Sequence, residues 1–484
     1  MKIVKIILLS LLAIPLVLVA VLVALQTYYH VTPVALSAEA LELNARAAKL
    51  PTLTENGYRF YGLMAPREQD AVVFGKCLFD AQAQHRREDR DATVKLPSHE
   101  DKPAWEAYEK TSAARSKFVD EACLKGGTRL TLPTTLTDVR MNLATTEYQW
   151  QLIAAALPDE IVKTRADAVR GGGVRRLGAE VDSPFLSYEN LLKIERWRIA
   201  RGVEAWRRND RPQATELWRA AIAEWAQSAE STLIEAVLSV VAQTQVLIAM
   251  QGTVVQANRI DDATAESLLA AIKPIETMPH SVANSMSAEW QTHESVIKQM
   301  IDNPMRSMRL GAERNGYQRA LDRLALWTFD ANDTMNALAK ANLWSQDALL
   351  KAAQGQAQPE FPDDTFFFGC ATSGDWGMAC LPFMRNPAGR ILSSIAMPAY
   401  ATYGVRVADL RNFAAATRLT IEVRRRQLAG DAAVQFVASA PADMRDVFSG
   451  NAFVYDVASK RLRIELREKS TILGEKGATY ELRL

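Results

Sequence analysis

Net charge is almost missing from this sequence: 57 Lys and Arg against 56 Asp and Glu leave a formal charge of +1. Without a global field there is nothing to gather polyanions, so nucleic acid drops out as a leading partner. Histidine and cysteine are scarce, at five and four residues. None stands in the CxxC or Cys/His spacing of a zinc site, and His85 beside Cys77 is the nearest approach. No metal and no cofactor is expected. Complete catalytic motifs are missing too. There is no GxSxG, and His293-Glu294 lacks the second histidine of HExxH. Ser295-Val296-Ile297-Lys298 fits SxxK but has neither an SDN-like nor a KTG-like companion. The run Arg170-Gly171-Gly172-Gly173-Val174-Arg175-Arg176 has no preceding strand and no Gly-Lys-Ser/Thr, so it reads as a flexible inter-helix loop and not as a phosphate cradle. No catalytic residue is nominated.

What the sequence does have is an unbroken apolar run, Ile6 to Leu25, without a charge. At roughly 1.5 Å of rise per residue it spans the roughly 30 Å hydrocarbon core of a bilayer. Lys2 and Lys5 precede it, while Gln26, Thr27, Tyr28, Tyr29 and His30 follow without Lys or Arg. The positive-inside bias then puts residues 1–5 in the cytoplasm and the body outside, with Tyr28 and Tyr29 at the far interface. A cleaved signal peptide is the competing reading; its apolar core is normally about 7 to 15 residues and ends in a small-x-small site. The run is longer than that, and Leu25-Gln26 is a poor cleavage site, so an uncleaved anchor in the inner membrane with a periplasmic body is the expectation.

Four cysteines allow three pairings, which sequence alone does not choose among. The local couples, Cys77 with Cys123 and Cys370 with Cys380, are expected because a translocated body sits where disulfides persist.

Taken in order, the chain divides into a cytoplasmic tip (1–5), an anchor (6–27), a helical tether (28–50), an N-terminal helical region (51–180), a central helical-hairpin domain (181–353), a loop-rich stapled segment (354–398), an amphipathic helix (399–430) and a small C-terminal β element (431–484). The centre carries the clearest hairpin. Leu192, Ile199, Val203 and Trp206 share a face, Asn209 to Pro212 turns the chain, and Ala214, Leu217, Trp218, Ala221, Ile222 and Trp225 recur at helical spacing. Thr232 to Met250 is apolar nearly all round, but Glu235, Gln243 and Gln245 argue against a second membrane pass and for a central core helix. Further helices are expected over 130–156, 262–272, 281–300 and 317–351, with Trp327 and Trp344 in the core. Tyr403, Val407, Leu410, Ala414, Thr417 and Ile421 mark an amphipathic helix ending in Arg424-Arg425-Arg426. Beyond Pro441 the period changes to two: Phe453, Tyr455 and Val457, then Leu462, Ile464 and Leu466, then Tyr480, Leu482 and Leu484 predict a three-stranded antiparallel meander. The fold class is therefore mainly α, with a transmembrane helix, a bundle-like body and a small β element.

Two stretches carry a resemblance. The first is Glu55-Asn56-Gly57-Tyr58-Arg59-Phe60-Tyr61-Gly62-Leu63-Met64-Ala65-Pro66, followed by Gly75. The second runs from Asn386-Pro387-Ala388-Gly389-Arg390-Ile391-Leu392 through Tyr400, Leu410 and Arg424-Arg425-Arg426 to Asp446-Val447-Phe448-Ser449-Gly450. Together they resemble a family of uncharacterised bacterial envelope proteins with an N-terminal membrane anchor. The resemblance implies an envelope location, a middle of helical hairpins and a final Asp-Pro-Phe/Tyr-Ser/Thr-Gly turn before a strand. Here Val447 stands in place of that proline. It implies no activity.

Two functions follow as expectations. The first is an anchored, non-enzymatic interaction or scaffold protein of the cell envelope with a protein partner there, for which Asp375 and Trp376, in the Cys370 to Cys380 loop, are the candidate recognition elements. The second is a cell-wall or glycan-active hydrolase with dispersed carboxylates, Asp363, Asp364 and Asp375 being the first choices.

Overall fold

The computed structural model of the chain describes residues 17, 19–50, 57–58, 62–66, 68–91, 103, 106–107, 110, 121–138, 141, 145–157, 188–302, 327–359, 385–386, 389, 400–467 and 479–483. Thirteen α-helices and one small sheet lie among these residues, beyond an apolar N-terminal helix, Val19–Val31. The helices are α1 Ala38–Ala48, α2 Ala71–Asp91, α3 Thr135–Asp138, α4 Glu147–Ala154, α5 Tyr188–Arg207, α6 Arg211–Ser228, α7 Leu233–Gln256, α8 Asp262–Ile272, α9 Met278–Asn284, α10 Met286–Asp302, α11 Ala331–Ala353, α12 Ala401–Arg425 and α13 Asp431–Ala438.

The expected hairpin is α5 and α6. The Asp210 side chain accepts from the Gln213 amide at 3.1 Å and starts α6, with proline in its first turn. Gly202 is what lets the two helices close. A Cβ there would come within 2.4 Å of Trp218 Nε1, which lies flat across the crossing. Trp218 is fully buried and its ring centroid sits 5.9 Å from that of Trp206. Arg198 of α5 lies inside this layer, 2.5 Å from Glu195 and 2.7 Å from Glu224 of α6. Burial works against its charge, but the two carboxylates outweigh it and raise its pKa above the ordinary arginine value.

One core runs from these helices through α7 and α12 to the sheet. Helix α7 is the core helix its interrupting polar residues predict, with 78% of its most apolar stretch buried inside the body. The polar groups are turned onto neighbours: Ser239 Oγ donates to the Trp225 carbonyl at 2.5 Å, Gln243 Nε2 to Ser239 Oγ at 2.7 Å and Gln251 Nε2 to Thr420 Oγ1 at 2.9 Å. Helix α12 occupies the predicted span but has no solvent face along its middle. Its polar residues form a hub. Asn412 donates to Asp446 Oδ2 and accepts from the Val447 amide, Asp409 accepts from the Arg467 amide, and Arg418 reaches Glu276. Where the resemblance has proline, Val447 therefore supplies an N–H that proline lacks. The turn itself closes on Asp446 Oδ1, which accepts from the Phe448 and Ser449 amides, with Gly450 at φ +70°.

The sheet has the predicted antiparallel order: β1 Val454–Asp456, β2 Arg461–Glu465 and β3 Thr479–Arg483. Leu462 pairs with Leu482 across the ladder and Ile464 with Tyr480, and Leu462, Ile464 and Leu482 are buried against the helices.

Three helices differ from expectation. Residues 130–156 give two short helices. A capping box at Thr146, whose hydroxyl accepts from the Gln149 amide while Gln149 returns a bond to the Thr146 amide, restarts the helix as α4. Residues 281–300 are split at Ser285 into α9 and α10. Helix α11 begins at the Asp330 N-cap, later than its predicted start. The segment expected as a tether is helical as α1 and packed, with Ala40, Leu43 and Ala47 buried in a second core against Trp290, Ile297, Met300, Met335 and Leu338 of α10 and α11.

Candidate functional site

The end of the N-terminal helix is built into the body, and the join holds a cavity. Asp330 caps α11 by accepting from the Asp333 amide at 3.0 Å. Its other carboxylate oxygen accepts from Arg385 Nη2 at 3.0 Å. The same Nη2 reaches back to the carbonyls of Tyr29, at 3.3 Å, and Thr32, and the guanidinium lies 5.7 Å from the Tyr29 ring. Asn386, with φ +55° and almost fully buried, ties the other side. Its Oδ1 accepts from the amides of Asp330 and Gly389, and its Nδ2 donates to the Asp330 carbonyl, Asp333 Oδ2 and Thr334 Oγ1. The Asn386 to Gly389 stretch of the resemblance is thus a polar lock on the start of α11.

Past Pro33 the chain stays fastened. Asn332 Nδ2 donates to the Val34 carbonyl at 2.8 Å. Asn336, one turn on, donates to the Ala35 carbonyl at 2.9 Å and accepts from the Ser37 amide at 2.7 Å. Trp290 Nε1 donates to Asn44 and Gln291 to the Ala47 carbonyl. Between the helix end and the lock lies an open cavity of about 220 Å³, lined among others by Tyr29, His30, Trp327, Asp330 and Arg385, with the His30 and Trp327 rings 6.2 Å apart. Trp327, expected in the core, is half-buried on the cavity wall.

Of the residues nominated from sequence, Cys77 and Cys123 are bonded, Sγ to Sγ 2.08 Å, joining α2 to the stretch around Leu124. The motif residues Gly62 and Gly75 serve that region. A Cβ on Gly75 would come within 1.7 Å of the Tyr58 carbonyl oxygen, so the α2 backbone can lie against this loop only with glycine there. Cys370, Cys380, Asp363, Asp364, Asp375 and Trp376 lie outside the described residues, as does the 170–176 loop. Ser295 and Lys298 sit on α10 with Lys298 exposed. The neighbouring His293 has a buried Nδ1 without a partner among the described residues, and burial pushes its pKa down to about 4. No three metal-ligating side chains come together among the described residues.

A second polar cluster lies inside the body, at the α6–α7 joint. Glu235 is buried, accepts from the Tyr188 hydroxyl at 3.3 Å, and is pushed up to about 8 by burial. Glu289 accepts from the Leu233 amide and is raised by burial as well. Tyr400 is pushed up to about 12 by burial and by Glu289. These groups are closed in by the core and bear on stability.

Comparison with protein-family models, curated proteins and solved structures finds no match.

The cavity residues are individually visible in the sequence, and Asn386 stands in one of the two stretches that carry the resemblance. Their convergence is not visible, because they come from three segments near residues 30, 330 and 385.

Proposed function

We propose that this chain is a membrane-anchored protein of the bacterial cell envelope, with its body on the periplasmic side, and that it works by binding another envelope protein. The observation that carries the reading is the contrast at the anchor. Val19, Val21 and Val23 are 56, 52 and 53% exposed, whereas Arg385 ties the helix end at Tyr29 and Thr32 to Asp330 at the start of α11, and Asn332 and Asn336 of α11 hold the segment just past Pro33. A bare apolar helix suits lipid. A fastened exit holds the body at one height and orientation above the membrane, as a scaffold requires and as a free tether does not provide. The disulfide fits an oxidising compartment.

Two measurements test the reading. A reporter enzyme fused after Leu484 should be active only on the outer side; activity confined to the cytosol sinks it. Photo-crosslinkers at Val73 or Tyr148, both exposed on the body, should capture one reproducible envelope protein in intact cells. The hydrolase alternative gains no support from the cavity, where Asp330 is a single carboxylate among the described lining residues and glycoside cleavage needs two.

A further inference from the structure

We infer that the cavity at the foot of the N-terminal helix seats the headgroup of a phospholipid from the membrane that helix enters, with phosphoethanolamine as the occupant. The inference rests on the anchor reading above and adds a ligand to it.

Position is the first argument. The cavity opens where the exposed apolar helix ends, so a lipid lying against that helix brings its headgroup to this height. Charge is the second. The wall carries one guanidinium and one carboxylate, a pair matched by a zwitterion and not by a bare anion. Arg385 Nη2 is engaged by Asp330 and two backbone carbonyls, but the buried Nε has no partner among the described residues and the side chain keeps 24% exposure, which leaves donor capacity for a phosphate oxygen. The ammonium then has Asp330 and the face of Trp327. It also lies near the C-terminal carbonyls of the apolar helix, the negative end of its dipole. Size is the third. At about 220 Å³ the cavity is smaller than the roughly 300–1,000 Å³ of a drug-sized site. A headgroup fits; acyl chains must stay outside, where the bare helix is.

The test is native mass spectrometry of the full chain extracted from membranes containing equal phosphatidylethanolamine and phosphatidylglycerol. One phosphatidylethanolamine should be retained per chain, about tenfold over phosphatidylglycerol. Arg385→Gln should reduce that preference to parity. Trp327→Leu should do the same while leaving every hydrogen bond of the lock in place, which covers the case in which Arg385→Gln loosens the fold. Arg219→Gln, on the exposed face of α6, should change nothing. Equal retention of the two lipids, or preference surviving both variants, overturns the inference. Displacement of the lipid by inorganic phosphate as readily as by glycerophosphoethanolamine also overturns it, since that marks a simple anion site. Failure of the anchor is separately visible: alkaline washing would then strip the wild-type chain from membranes. A chain that stays in the membrane without selectivity refutes the headgroup seat alone.

Discussion

Two apolar helices of this protein have opposite surroundings. Both the N-terminal helix, described over Val19–Val31, and α7 are apolar. The valines of the N-terminal helix are bare, while α7 is enclosed by α5, α6, α9, α10 and α12. Apolarity does not separate them; the polar residues do. On α7, Ser239, Gln243, Thr244, Gln251 and Thr253 are buried and bonded to carbonyls or side chains in the body or to their own helix. At the end of the N-terminal helix, Arg385 captures the carbonyls of Tyr29 and Thr32. A helix that belongs to a protein core carries polar side chains matched to its neighbours.

The sharpest way to break this comparison is to place the same charge in both. Leu247→Asp, at a position fully buried on α7, should destabilise the body by more than ~4 kcal/mol, combining a lost core side chain with an unpaired buried charge. Val21→Asp should leave chemical unfolding of the body unchanged and weaken membrane retention instead. Equal effects on unfolding would mean that the N-terminal helix belongs to the core. Next in size is the disulfide. In the chain-entropy picture, removing a bridge across 46 residues costs roughly 3–4.7 kcal/mol. Cys77→Ser should lower the unfolding midpoint accordingly, and Cys77 and Cys123 should resist alkylation until reduced. Free thiols in freshly made wild-type protein would place the body on the reducing side and overturn the lipid assignment of the N-terminal helix.

A third test uses Glu235, in the first turn of α7. Its ordinary carboxyl pKa of 4.5 is raised to about 8 in the fold. Between those values the folded chain holds a proton that the unfolded chain has released. The stabilisation is therefore complete below about 4.5 and lost as pH rises towards 8. Wild-type stability should fall over that window by something on the order of a few kcal/mol, and Glu235→Gln should flatten the fall. An unchanged pH profile in the variant would show that Glu235 ionises freely, and that the entry to α7 is wetter than its burial indicates.

Local features of this fold are readable in the sequence and non-local ones are opaque. The α5–α6 hairpin, the span of α8 and the alternation of β2 are written within a few residues of themselves. Helix α12 shows the limit. Spacing of 3 and 4 locates it correctly, but does not show that Asn412 and Arg418 are buried, because their partners Asp446 and Glu276 are brought to them only by folding. Ser285 and Thr146 interrupt helices through bonds that a periodicity count does not see. The cavity is the extreme case, with walls separated by about 350 and about 55 residues. The polar interruptions on α7 are the exception, since glutamate and glutamine side chains in so apolar a run are enough by themselves to keep that helix in the protein.

The smallest effect separates the fastening from the core. Asn336 makes two bonds to the segment after Pro33, and Asn336→Ala removes both. Hydrogen bonds of this kind contribute about 0.5–1.5 kcal/mol each, so the body should lose about 1–3 kcal/mol and unfold as cooperatively as before. Hydrogen exchange should report the change locally. The Ser37 amide, which donates to Asn336, should lose protection, while the Glu235 amide, bonded to Thr232 at the start of α7, should keep its own. If both amides lost protection together, the N-terminal helix and α7 would belong to one cooperative unit, and the fastened exit would be an ordinary part of the core. If only Ser37 responds, the lock is a separate device, whose function is to set where the body stands relative to the bare helix.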